Sequence, residues 1–227
     1  PVVLMGPTGM PTEIPKNENV VLVGGGLGNA VLFSIGKALR EAGSRVLYFA
    51  GYRRGEQLFK QSEVEASADK VVWATDAGPA ITPRRAQDAH IRANVVQAML
   101  GYERGELGER PFGLADADRI LVIGSDGMMA AVKAARHGVL GQASVAVGSI
   151  NSPMQRMMKE VCEQCIQRRI DPKTGQERFV YTCFEQDQPL DEVDFSFLRQ
   201  RLRQSSAHEK LADAWLTRVL EEPEAAE

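Results

Sequence analysis

The 227-residue sequence lacks any apolar run close to the roughly 20 residues that a bilayer-spanning helix needs, and it shows no secretory signal. It also lacks a strong charge of either sign, because its formal net charge at neutral pH is only -3. A basic field that would attract nucleic acid or an anionic membrane is therefore missing. We expect neither a nucleic-acid partner nor membrane insertion.

Cysteine is scarce as well. The chain has three cysteines, Cys162, Cys165 and Cys183, and all lie in one segment. An odd, clustered set suits a metal or cluster site better than a disulfide framework, so we expect a reducing, cytoplasmic setting. Thiolates at this spacing suit zinc or an iron–sulfur cluster. Three reduced structural cysteines are the alternative.

The sequence does contain a regular alternation of strand and helix patterns. Apolar runs typical of buried parallel strands lie at residues 20–24, 45–51, 70–76, 119–124 and 144–148. Helical segments are predicted at 29–42, 56–66, 89–102 and 126–137, and helical character returns over 193–216. The pattern predicts an α/β fold with a five-stranded parallel, doubly wound, Rossmann-like sheet and a small cysteine-bearing C-terminal appendage.

A glycine-dense turn separates the first predicted strand from the first helix. Such a turn lets the backbone approach a pyrophosphate closely, and the helix that follows directs free N–H groups and a partial positive charge at it. The turn therefore predicts a dinucleotide site, with a ligand-free tight turn as the alternative. The predicted cofactor-binding residues here are Gly24, Gly25, Gly26, Leu27, Gly28 and Asn29.

The end of the second predicted strand has no acidic residue. Dinucleotide-binding dehydrogenases carry an Asp or Glu about 20 residues beyond the glycine turn to hold the ribose. This chain has Arg53 and Arg54 there instead, which argues against an ordinary Rossmann dehydrogenase. Either arginine is expected to contact the adenosine ribose or a 2′-phosphate, and a solvated basic turn is an equal alternative. The choice between NAD and NADP stays open.

Taken together, these motifs resemble the C-terminal NAD(P)-binding domain of the ferredoxin–NADP reductase superfamily. The similarity is greatest to the electron-transfer subunit of dihydroorotate dehydrogenase and the related subunits of sulfide dehydrogenases. The matching segments are residues 5–9 (MGPTG), 24–30, 51–53 (GYR), 75–78 (TDAG) and 124–129 (GSDGMM). The resemblance implies further cofactor contacts at Asp76, Gly124, Ser125, Asp126 and Met128.

The resemblance also implies a division of the chain. Residues 1–15 would be the remnant of a preceding flavin domain, 16–150 the NAD(P)-binding domain, 151–192 a cysteine-containing segment and 193–227 a helical tail. The first residue is Pro1, and we expect the chain to be part of a longer protein. A flavin-binding domain or subunit would then supply FAD, and the isolated chain would be inactive.

The cysteine segment is similar to the cluster-binding tail of the dihydroorotate dehydrogenase subunit. That tail holds a two-iron two-sulfur centre with four cysteines, and Met157 stands at the position of the first. The resemblance therefore implies a two-iron two-sulfur cluster or zinc at Cys162, Cys165 and Cys183, with one ligand missing.

Two functions follow from the resemblance. The first is an NAD(P)H-binding module that passes electrons to FAD, and then to a cluster or to a catalytic or electron-acceptor partner subunit. The second is a non-catalytic docking domain of a larger reductase. Ile123 and Ser125, which replace a cysteine and a proline of the family pattern, favour this alternative.

Overall fold

The computed structural model describes residues 9–137, 143–151 and 160–221. Met157 and residues 5–8 of the predicted MGPTG motif lie outside these ranges. The elements run in the order β1 (Asn19–Gly25), α1 (Asn29–Glu41), β2 (Arg45–Arg54), α2 (Gln61–Ala66), β3 (Lys70–Ala77), β4 (Ala89–Ile91), α3 (Val95–Glu103), β5 (Arg119–Ile123), α4 (Asp126–Arg136), β6 (Val145–Ser149), β7 (Ile166–Ile170), β8 (Glu177–Tyr181), β9 (Asp187–Pro189) and α5 (Phe195–Glu221).

The central sheet has seven strands in the order β4-β3-β2-β1-β5-β6-β9. All neighbouring pairs are parallel except β6 with β9, which is antiparallel. The predicted α/β class is confirmed, but the predicted count of five strands is wrong. Both additional strands are three residues long and lie at the edges of the sheet, where pairing needs no long apolar run.

The sheet buries a hydrophobic core on each face. Alternate residues of one strand point to opposite faces, so Val20 and Leu22 pack under α1 and α2, whereas Val21 and Val23 pack under α3, α4 and α5. Helices on both faces give the doubly wound arrangement that the sequence predicted. Such a fold places its ligands at the carboxyl ends of the strands.

Two predicted helices begin later than expected. Residues 89–91 form the edge strand β4 beside β3, and α3 starts only at Val95. Its start is fixed by a capping box, in which the Asn94 side chain accepts a hydrogen bond from the Gln97 N–H at 3.0 Å. The predicted helix at 56–66 is reduced to α2, because Lys60 adopts a positive φ of 51° immediately before it.

The C-terminal appendage consists of the β7–β8 hairpin and α5. The Asp171 carboxylate accepts a hydrogen bond from the Lys173 N–H at 2.7 Å, which stabilises the predicted turn of the hairpin. The hairpin packs on α5 through Phe179 and Phe197, whose ring centroids are 5.8 Å apart. The last strand of this region, β9, belongs to the central sheet. No helix in the described ranges combines the length and apolarity that a membrane span requires.

Candidate functional site

A cleft of about 1000 Å³ lies at the carboxyl ends of β1, β2, β3 and β5. This volume is at the upper end of the range of small-molecule sites, which run from about 300 to 1,000 Å³. Its wall includes Gly25, Gly26, Leu27, Tyr52, Arg53, Phe59, Asp76, Asn94, Gln97, Ser125 and Met128.

Three helix N-termini contribute residues to this cleft. One is the 3-10 turn at Gly26–Gly28 that leads into α1. Another is the start of α3 at its cap Asn94, and the third is the start of α4, where the Ser125 hydroxyl accepts a hydrogen bond from the Met128 N–H at 3.3 Å. Each N-terminus carries a partial positive charge and N–H groups without intrahelical partners. The cleft is therefore suited to an anionic ligand with more than one phosphate.

The glycines of the turn after β1 have two separate roles. Gly25 and Gly26 line the cleft. A Cβ atom at Gly28 would instead collide with the carbonyl group of Ile123, 2.7 Å from its carbon. Gly28, which was predicted to bind the cofactor, therefore faces β5 instead of the cleft and lets the turn pack tightly against that strand. Gly24 is similar, because a Cβ there would collide with the side chain of Asn29.

Asn29 is buried beneath the turn, and its hydrogen bonds are made within the protein. Its amide donates to the carbonyl of Gly26 at 3.1 Å and to that of Gly51 at 3.2 Å. Its Oδ1 accepts from the hydroxyl of Tyr48 at 3.1 Å. Asn29 does not line the cleft, so it is a residue that holds the turn between β1 and β2 in place rather than the predicted ligand contact.

The two arginines at the end of β2 have different environments. Arg53 is exposed and lines the cleft. Arg54 turns to Glu56, with Nε and Oε2 3.3 Å apart, and the arginine lowers the pKa of that carboxyl. Of the two arginines, only Arg53 lies where it could contact a ribose or a 2′-phosphate. Asp76, at the end of β3, lines the cleft as well.

In the loop after β5, too, only some of the predicted cofactor-binding residues line the cleft. Ser125 and Met128 line the cleft, and their contact with a cofactor stays a prediction. Gly124 lies beneath the Met128 side chain, because a Cβ there would be 3.0 Å from Sδ. The carboxylate of Asp126 turns away and binds the guanidinium of Arg199 on α5.

The structure adds cleft residues that the sequence analysis missed, among them Tyr52, Phe59, Asn94 and Gln97. The Asn-x-x-Gln spacing is a recognisable capping signal and would have placed the start of α3 at the cleft. No sequence pattern marks Tyr52 or Phe59, whose place in the cleft wall depends on tertiary packing.

The cysteines are only partly brought together. Cys165 and Cys183 are buried beside each other where the β7–β8 hairpin opens. Burial raises the pKa of the Cys183 thiol, the backbone at Glu160 opposes the rise, and the adjacent Cys165 thiol adds to it. Within the described ranges, no group of three or more His, Cys, Asp or Glu side chains could hold a metal ion. The zinc or iron–sulfur site therefore stays a prediction.

A second cavity, of about 540 Å³, lies between α1 and β9. Its two buried guanidinium groups are already paired, Arg119 with Glu18 at 3.0 Å and Arg136 with Asp191. Among the residues that the structure describes, this cavity therefore offers an anionic ligand no uncompensated cation, whereas the cleft offers Arg53 and three helix N-termini.

Comparison with known proteins supports a redox context. No family model matches the chain. An electron-transfer subunit homologue of dihydroorotate dehydrogenase B from Thermotoga maritima is 43% identical over 77 residues, which are 34% of this chain and 27% of the relative. An uncharacterised protein of Rickettsia prowazekii is 26% identical over 212 residues, which are 93% of this chain and 21% of the relative. This chain thus spans only about a quarter of the length of these relatives.

A solved structure matches the fold over nearly the whole chain. It is that of an NADH-dependent reduced ferredoxin–NADP oxidoreductase, studied for flavin-based electron bifurcation. The match has a TM-score of 0.68 and 26% sequence identity, and it covers 93% of this chain and 67% of the other. These comparisons confirm the resemblance inferred from the sequence motifs.

Proposed function

We propose that the chain binds NAD(H) or NADP(H) in the cleft, as an NAD(P)-binding domain similar to that of the ferredoxin–NADP reductases, and serves NAD(P)H-dependent electron transfer to a flavin. The observation that carries this proposal is the meeting of three helix N-termini, one of them at the glycine turn, at one cleft of about 1000 Å³. Such a cleft neutralises a pyrophosphate largely with backbone groups. The backbone groups do not depend on Ile123 and Ser125, which stand where the family pattern has a cysteine and a proline.

In this proposal the protein binds and orients the dinucleotide. Gly25 and Gly26 let the backbone approach the pyrophosphate, and the Arg53 guanidinium donates hydrogen bonds to a ribose hydroxyl or to a 2′-phosphate. Met128 supplies an apolar wall that excludes water from one side of the cleft. FAD, held by a domain or subunit outside this chain, would accept a hydride from the nicotinamide. Electrons would then pass to a catalytic or electron-acceptor partner subunit.

We propose the same division of the chain that the sequence implied, with residues 16–150 as the nucleotide-binding unit. We assign no role in electron transfer to the cysteine segment. Cys165 and Cys183 lie together, but within the described ranges they lack the further ligands that a cluster or zinc needs.

Calorimetric titration of the chain with NAD, NADH, NADP and NADPH tests the proposal. Leu27 is the best position for a variant, because its side chain is 85% exposed and lies on the cleft wall. Leu27→Asp places a negative charge beside the expected phosphates without disturbing the core, and we expect at least a tenfold loss of affinity. Leu27→Asn is the matched neutral control. If no dinucleotide binds the wild-type chain, the proposal is wrong.

The second candidate function is docking within a larger reductase, and the C-terminal half of α5 favours it. Leu211, Trp215 and Val219 are four residues apart on one face of this half and are 71%, 64% and 47% exposed. Exposed apolar side chains clustered on one element mark interaction surfaces. If the wild-type chain bound no dinucleotide, and Trp215→Ser abolished its assembly with the electron-accepting subunit, docking would be the better assignment.

A further inference from the structure

Arg53 and Asp76 are oppositely charged neighbours at the carboxyl edge of the sheet. The register of β2 and β3 pairs Tyr52 with Thr75, so the next residues of the two strands, Arg53 and Asp76, lie beside each other. Neighbouring strands are about 4.8 Å apart. Both side chains are exposed, and both residues line the cleft. One cation and one anion therefore stand side by side on the wall of the candidate site.

The two side chains point to the same face of the sheet. Side chains alternate along a strand, so Arg53 shares its face with Phe49 on β2, and Asp76 shares its face with Ala74 on β3. Phe49 and Ala74 both belong to the core under α3. The cap of α3, Asn94, lines the cleft as well. A ligand group bound above the ends of β2 and β3, in front of α3, therefore meets both charged side chains.

Neither charged group is occupied by the protein itself. In the part of the chain that the structure describes, the Arg53 guanidinium and the Asp76 carboxylate make no hydrogen bond or ion pair, either with each other or with another residue. Arg54 is the contrast, because its Nε lies 3.3 Å from a carboxylate oxygen of Glu56. Asp76 thus keeps both carboxylate oxygens as acceptors for a ligand, and Arg53 keeps its guanidinium N–H groups as donors.

The order of the strands indicates which part of a dinucleotide these groups meet. On one side of β1 and its glycine turn lie β2 and then β3, and on the other side lies β5. With the pyrophosphate at the glycine turn, the ribose on the β2 side lies one to two strand spacings away, about 5–10 Å. In dinucleotide-binding α/β folds this is the adenosine ribose, where an acid binds the 2′-hydroxyl of NAD or an arginine accommodates the 2′-phosphate of NADP. Here β2 supplies the arginine, and β3 supplies the acid.

We propose that Asp76 makes the cleft selective for NAD(H) over NADP(H). Its carboxylate accepts a hydrogen bond from the 2′-hydroxyl of the adenosine ribose, and Arg53 donates one to the oxygen of the 3′-hydroxyl. The assignment rests on the proposed function and names its cofactor. A 2′-phosphate has no hydroxyl to donate, and it carries a charge of about −1.5 to −2 at neutral pH. Repulsion from Asp76 offsets the attraction of the adjacent Arg53, so the phosphate loses a hydrogen bond without gaining net attraction.

Calorimetric titration with ADP-ribose and with its 2′-phosphate tests the assignment without a flavin or a redox reaction. For the wild-type chain we expect the Kd for ADP-ribose to be about tenfold lower, as for one hydrogen bond to a charged group. Asp76→Asn keeps the shape but removes the charge, so the Kd for ADP-ribose should rise and that for its 2′-phosphate should fall, until the two are about equal. The matched control is Asp213→Asn, which changes the net charge equally at an exposed position on α5 outside the cleft wall.

The outcomes separate this assignment from the proposed function. If the wild-type chain binds both ligands equally, or prefers the 2′-phosphate, a nucleotide site exists and the assignment alone fails. It fails as well if Asp76→Asn leaves the ratio of the two Kd values unchanged, or if Asp213→Asn shifts that ratio as much. If the wild-type chain binds neither of these ligands and neither NADH nor NADPH, the assignment and the proposed function fail together.

Discussion

The carboxylate of Asp126 and the Nε of Arg199 are 3.2 Å apart, which joins the first turn of α4 to the C-terminal helix α5. The two residues are 73 positions apart in the sequence. Because α4 begins at the cleft, this ion pair connects the appendage to the candidate site. It also compensates a negative charge that would otherwise lie close to an anionic ligand.

We expect Arg199→Ala to weaken dinucleotide binding about threefold, since a charge a few ångströms from the site retains part of its effect in water. The double variant Asp126→Asn with Arg199→Ala should recover wild-type affinity, and Arg199→Lys should lose little. Added salt should reduce the difference between Arg199→Ala and the wild type. Equal affinities of the wild type and Arg199→Ala at low salt would show that α5 has no electrostatic influence on the cleft.

Asp194 is expected to stabilise the appendage by capping α5. Its Oδ1 accepts hydrogen bonds from the N–H groups of Ser196 at 2.9 Å and Phe197 at 3.1 Å, and its Oδ2 binds Arg168 at 2.7 Å. Asp194→Ala should lower the free energy of unfolding by about 1–2 kcal/mol, the usual cost of a lost cap. Asp194→Asn keeps an acceptor at the cap and should lose less. Urea unfolding of the three proteins measures both values, and equal losses would contradict the capping role.

The fold as a whole could be predicted from the sequence because buried parallel strands leave continuous apolar runs. The runs at 20–24 and 119–124 correspond to β1 and β5 within one residue at each end. The edge strand β9 (Asp187–Pro189) could not be predicted, since its three residues carry no pattern of their own. It forms only because the chain returns to β6 and pairs with it.

In the candidate site, likewise, the sequence predicts the local backbone but not the contacts between distant elements. Its backbone part, the glycine turn, was visible because a nucleotide loop needs glycines in a fixed place. The orientation of side chains was not visible. Asn29 and Asp126 were predicted as ligand contacts but are bound by Gly26 and Arg199, and these pairings depend on how distant elements pack.

Acid should destabilise the contact between α4, β9 and the hairpin. Burial alone would raise the pKa of Asp191, but hydrogen bonds from Arg136 and His137 outweigh it and leave the pKa below its ordinary value. The pKa of Asp194 is lowered as well, because its backbone hydrogen bonds and Arg168 outweigh the effect of burial.

A carboxyl with a lowered folded-state pKa stabilises the protein above its unfolded pKa of about 3.9, and this contribution is lost as the pH falls further. We therefore expect the free energy of unfolding to fall below about pH 4. The decrease should be smaller in a variant with Asp191→Asn and Asp194→Asn. Urea titrations between pH 6 and pH 3 measure it, and parallel pH profiles for the two proteins would contradict the prediction.

Gly28 and Gly26 should respond differently to alanine, because only Gly28 packs against the backbone of β5. A methyl group at Gly28 collides with the carbonyl of Ile123, whereas at Gly26 it meets open space. Gly28→Ala should therefore lower the free energy of unfolding by about 1–3 kcal/mol, as overpacking usually does. Gly26 has a positive φ of 54°. Gly26→Ala should therefore lower the free energy of unfolding by about 1 kcal/mol, the cost of a non-glycine residue in that conformation. Thermal unfolding without ligand gives both values, and a Gly28→Ala protein as stable as the wild type would mean that the turn does not pack on β5 in this way.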